Sequence, residues 1–159
     1  MRKILLPVIA LIIFTGCNNK TAFNYSQDIV KKEQSLVPDI TSAETKIGDW
    51  LGQEHYDSIA AEGARMENLV DKKINEIKDA PAPDVKEGTN FKDAALKYFR
   101  FIKSMYTGYK ELGNAPADSR DQVITKLRNL AETKNAAISD MQQAQKKFAE
   151  ANGFKLENK

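Results

Sequence analysis

Four stretches of this chain repeat apolar residues every three or four positions, and Gly and Pro separate them. The repeat is cleanest where Phe91, Ala95, Tyr98, Ile102, Met105, Tyr109 and Leu112 alternate steps of four and three. That spacing puts all of them on one helical face, a seam suited to lying along neighbouring helices at a shallow angle. A second helix carries Ile59, Gly63, Met66, Val70, Ile74 and Ile77, with charged residues on its other side, and ends before Pro81 and Pro83. The first is expected from Asn24, which forms a capping box with Gln27, through Ile29, Leu36, Ile40, Ala43 and Ile47. Pro38 should kink or break it, because proline lacks the backbone donor and crowds the preceding turn. The fourth starts between Pro116 and Asp118 and runs to about Asn152, with Val123, Leu127, Leu130, Ala137, Met141, Ala144 and Phe148 as its seam and Gly153 as a left-handed cap. No segment alternates with the period of two that a strand needs. The expected fold is all-α: an antiparallel up-down-up-down four-helix bundle whose first helix is kinked or broken near Pro38.

Ahead of the bundle the chain opens with a different kind of segment. Arg2 and Lys3 precede the apolar run Ile4 to Phe14, which is shorter than the about 20 residues a spanning helix needs, and Thr15-Gly16-Cys17 follows. This is the layout of a cleavable secretion signal. The tetrapeptide Phe14-Thr15-Gly16-Cys17 resembles the lipobox of bacterial lipoproteins, which implies cleavage before Cys17 and acylation of that residue with palmitate-type chains. Two or three such chains hold a water-facing domain on a membrane, since each buried methylene contributes about 0.8 kcal/mol. Asn18 stands where the lipoprotein resemblance associates Asp with inner-membrane retention, so the outer membrane of the cell envelope is the implied destination. The chain as a whole also resembles an uncharacterised family of helical surface lipoproteins, a likeness carried by the lipobox and four helices of this length. The expected organisation is a signal peptide over 1–16, an acylated tether over 17–23, the bundle over 24–153 and a tail over 154–159.

Loss of Arg2 and Lys3 with the leader takes the 24 basic side chains of the whole chain down to 22, matched by 22 acidic ones. No single-sign block remains, so neither nucleic acid nor an anionic surface is an expected partner. Cys17 is the only cysteine, so with its sulfur acylated the fold must hold through packing alone. His55 is the only histidine, which leaves nothing to build a di-iron bundle site, a zinc protease motif or a nucleophile dyad. No phosphate-binding glycine loop is present either. No enzymatic activity, cofactor or metal is expected.

Two groups of residues stand out. The corner between the first two helices gathers the single Trp50, His55 and Tyr56, residue types that combine apolar area with a polar handle and are favoured at recognition surfaces. The simpler reading is that Trp50 plugs the end of the bundle. The third helix holds Tyr98, Phe99, Phe101, Tyr106 and Tyr109 among Lys97, Arg100, Lys103 and Lys110, but its aromatics share one side of the wheel and fit core packing better than a stacking platform. Met66, Met105 and Met141 read as gap-fillers. Lys134 interrupts the fourth seam and must either snorkel to solvent or pair with a carboxylate. The function these features favour is a membrane-anchored interaction or adaptor module that meets another envelope protein. The alternative is a binding module for an apolar small molecule or lipid, in a cavity lined by Tyr98, Met105 and Met141. A free outer face of the bundle also fits a second copy of the chain.

Overall fold

The structure, a computed structural model, describes residues 17–156, with side chains from Lys20 onward. The signal segment 1–16 and the Cys17 side chain lie outside the described residues. Helix α1 spans Cys17–Gly52, α2 Tyr56–Asp79 and α3 Gly88–Asn114; a short 3-10 turn, Ala117–Ser119, then leads into α4, Arg120–Glu132, and α5, Lys134–Ala151. Among the described residues there is no strand, and α4 with α5 forms the fourth arm of an all-helical bundle.

The seams read from the sequence are the buried faces. Ile59, Met66, Val70 and Ile77 of α2 meet Phe91, Ala95, Tyr98 and Ile102 of α3 in one core that also takes in Ile29, Leu36, Ile40 and Ile47 of α1. The tightest contact joins α2 to α3. A Cβ on Gly63 would lie 2.5 Å from the Lys110 nitrogen, and one on Gly113 would lie 2.4 Å from both the Ala60 nitrogen and the Tyr56 carbonyl oxygen. Only a residue without a side chain lets the two backbones come this close. Polar pairs flank the contact: Lys103 bonds Asp71 at 2.6 Å, Lys110 pairs with Glu67, and Thr107 Oγ1 donates to Glu67 Oε1 at 2.8 Å. Lys92 of α3 donates to the Lys78 and Ala80 carbonyls at 2.8 and 2.6 Å, closing the exposed C-terminus of α2.

Four boundaries differ from the sequence-based expectation. The described residues from Cys17 onward are already helical, with Ala22 fully buried and Phe23 packed edge-on against Phe154, ring centroids 5.9 Å apart. A polar tether over 17–23 is therefore replaced by helix. Pro38 does not break α1, which continues through it; Pro38 lies on the exposed side, where the carbonyl left without its helical donor can meet water. The break falls in the fourth helix, at Thr133. Its hydroxyl donates to the Leu130 carbonyl at 2.7 Å and its N–H bonds the same oxygen at 3.0 Å, a tightened turn that bends the arm. Finally, the segment after Gly153 returns to the core: Gly153 takes the left-handed conformation at φ 70° and Phe154, 3 % exposed, bonds back to the Ala149 carbonyl at 3.1 Å. This is a Schellman cap, and its hydrophobic residue is Phe154.

Gly63→Ala and Gly113→Ala should each lower stability by about 1–3 kcal/mol, because the added methyl meets backbone that cannot turn aside. Their better helix propensity offsets at most about 1 kcal/mol of this. Urea unfolding monitored by circular dichroism measures the loss.

Candidate functional site

At the corner that sequence reasoning singled out, α1 ends in a second Schellman cap. The His55 N–H bonds the Trp50 carbonyl at 2.9 Å, and Glu54 is held in the left-handed region at φ 59°. Trp50 is half-buried and packs against the core, His55 is exposed, and Tyr56 opens α2. The Arg120 guanidinium sits over the Tyr56 ring, 3.5 Å from its centroid, and donates from Nε to the Ala115 carbonyl at 3.2 Å. Tyr56 thus ties the α1–α2 corner to the α3–α4 turn. The three residues are near in sequence, but Trp50 and Tyr56 are engaged by the bundle and only His55 projects freely.

The aromatic run on α3 divides between two environments. Phe99 is fully buried against Tyr98, edge to face at 5.9 Å, and the three lysines of the run are taken up by neighbours, Lys97 by Asp140 at 2.6 Å and Lys103 and Lys110 by α2, while Arg100 is exposed. Tyr98, Phe101, Met105 and Tyr109 instead form the floor of a crevice. One wall is Ile40 and Glu44 of α1, and the other is Ala131, Lys134 and Ile138 at the bend of the fourth arm. Its surface is almost wholly apolar, and it encloses about 40 Å³. Of the residues expected to line a cavity, Tyr98 and Met105 are there, whereas Met141 is packed in the core.

The crevice exists because α1 and α5 part company along their length. Near the start of α1 they are joined by the buried pair Ser26 and Gln145, with Gln145 Nε2 donating to Ser26 Oγ at 3.1 Å, and by the contact of Phe23 with Phe154. Farther along, α4 packs chiefly on α3, where Leu127, its one buried residue, fills the space left by Gly108.

Titratable groups both line the crevice and stand behind its floor. Glu33 is 4 % exposed and accepts a hydrogen bond from the Tyr98 hydroxyl at 2.8 Å. Burial pushes its carboxyl above the usual range, and the bond from Tyr98 works the other way. Burial likewise pushes the Tyr98 hydroxyl upward, helped by the neighbouring carboxylate. Lys134 is half-buried on the crevice wall, opposite Glu44. Lost hydration lowers its ammonium below the ordinary lysine range, and Glu44 across the gap partly restores it. Among the described residues no cluster of His, Cys, Asp and Glu could hold a metal ion, and no helix is long and apolar enough to cross a membrane.

Because folding disfavours the charged form of Glu33, its contribution to stability is present below the ordinary carboxyl value of 4.5 and lost as pH rises through the raised folded value. Glu33→Gln keeps the acceptor for Tyr98 and removes the charge. Melting temperatures taken from about pH 4 to 8 should show the variant gaining on the parent as pH rises, since the stabilising shifts of Glu62 and Glu67 are common to both chains. Trp50→Ala should lower stability by about 2–3 kcal/mol in the same melts, as expected for truncating a half-buried aromatic. Comparisons with protein-family models, curated proteins and solved structures find no match, so the functional reading rests on these residues.

Proposed function

We propose that the protein is a lipid-anchored component of the bacterial envelope that binds another molecule without transforming it, held at the outer membrane by acyl chains on Cys17. The anchored reading is supported by the likeness of Phe14-Thr15-Gly16-Cys17 to a lipobox. Counted along α1, the Trp50 corner lies about 50 Å from Cys17.

The binding reading is carried by the apolar crevice along α3. Of the two occupants expected from the sequence, an apolar small molecule or lipid fits better than a protein held at the corner. Trp50 and Tyr56 are used by the bundle's own packing, whereas Met105 is half-buried on the floor of the crevice. The adaptor reading keeps one supporting observation: α4 leaves Val123, Ile124 and Leu130 half-exposed, a strip that a helix of another envelope protein could cover.

Both parts are testable in cells. Cys17→Ser should leave the membrane fraction and take up no label from a palmitate analogue; continued membrane attachment would remove the anchor from the account. Organic extracts of the purified parent should contain an apolar compound that is missing from Met105→Trp, whose larger side chain fills the crevice. Equal content in the two would place binding elsewhere.

A further inference from the structure

We propose that the crevice along α3 is a binding site for a hydrophobic monocarboxylate of the medium-chain fatty-acid class, its head group at Lys134 and its apolar body on the floor formed by Tyr98, Phe101 and Met105. The proposal rests on the crevice-binding reading above and adds the charge and shape of the ligand.

Shape comes from the floor. From Tyr98 to Tyr109 it runs about 16 Å along α3, a slot suited to a single chain rather than a compact ring system. The Tyr98 hydroxyl is turned away into its bond with Glu33, so Tyr98 offers the slot its ring. Phe101 and Met105 offer an aromatic face and a flexible thioether, surfaces that adapt to an aliphatic chain.

Charge comes from the walls. Lys134 is the first residue of α5, directly after the bend, and the Lys97–Asp140 bond on one side and the Gly108–Leu127 contact on the other set it near the middle of the slot. Its ammonium has lost part of its hydration, and the opposing Glu44 does not make up the loss. A carboxylate at this point would add a charge-assisted hydrogen bond to the ammonium, while a cationic head would be repelled by it and a neutral one would gain little. Glu44 lies toward the Tyr106 and Tyr109 end, where it acts on both hydroxyls, so the head group stays on the Lys134 wall and the apolar body runs along the floor over Phe101 and Met105.

The slot as it stands, about 40 Å³, is too small to enclose such a chain. Entry requires α4 to move aside. With Leu127 as its one buried residue and a bend at Thr133 behind it, α4 is the least firmly held arm of the bundle.

The test compares three probes with the same ten-carbon chain: decanoate, decanol and decyltrimethylammonium. Each is titrated below its micelle concentration, by calorimetry, into the Cys17→Ser chain from residue 17 onward, which contains the core described above. Decanoate should bind with unit stoichiometry, on the order of tenfold more tightly than decanol, and the cation least tightly. Lys134→Met should bring decanoate down to the level of decanol and leave decanol binding in place; Lys134→Arg should keep the preference. Saturable binding of all three without preference for the carboxylate overturns the ligand class and leaves the crevice-binding reading standing. No saturable binding of any probe to the folded parent overturns both.

Discussion

Everything else in this bundle is arranged around the backbone contact between α2 and α3. Gly63 and Gly113 let the two helices approach until peptide groups touch, so α3 is committed on one side and its remaining surface must be covered by α1, α4 and α5. A side chain at either glycine would push α3 outward and change the spacing of every helix packed on it. The ion pairs of Lys103 and Lys110 with α2 lie along the flanks of this contact and hold the register that the glycines permit.

Polar pairs then fix how the other arms lie. Glu33 with Tyr98 sets α1 on α3 and Ser26 with Gln145 joins α1 to α5 near one end, both buried, while at the surface Arg65 bridges Glu62 on its own helix and Asp39 on α1. A buried polar group left without its partner costs more than the bond itself yields, so each buried pair selects one alignment over its neighbours. The α1–α5 ties lie at the Phe23 end. Toward Lys134 the two helices separate, and the bend at Thr133 leaves an aromatic strip of α3 uncovered.

The parts of this arrangement legible in the sequence are those that periodicity reports. Phe91, Tyr98 and Ile102, or Ile59, Val70 and Ile77, recur at the spacing of one helical face, and burial of that face is the reason for the recurrence. Gly63 already stood in the seam, although its spacing alone does not say that a backbone lies against it. What was illegible depends on contacts distant in the chain. Ala22 and Phe23 read as tether because Phe154, which packs on Phe23, follows the last helix and reads as tail. Pro38 drew attention as a breaker, yet an exposed proline is tolerated where water can take up the orphaned carbonyl; the Thr133 hydroxyl, an inconspicuous residue, bends its helix instead. Of the crevice, Tyr98 and Met105 were legible as lining, and Lys134 stood out as a charge placed in a seam. Ile40 and Ala131, which complete the walls, carry no signal of their own.

The proposed function turns on the apolar slot along α3. The most direct measurement of that account uses the methionines as reporters, since Met105 faces the slot while Met66 and Met141 are sealed in the core. With 13C-labelled methionine methyl groups, addition of decanoate should shift the Met105 resonance and leave those of Met66 and Met141 in place. Equal shifts at all three methyls, or a Met105 signal that does not move, would contradict a binding site in the crevice.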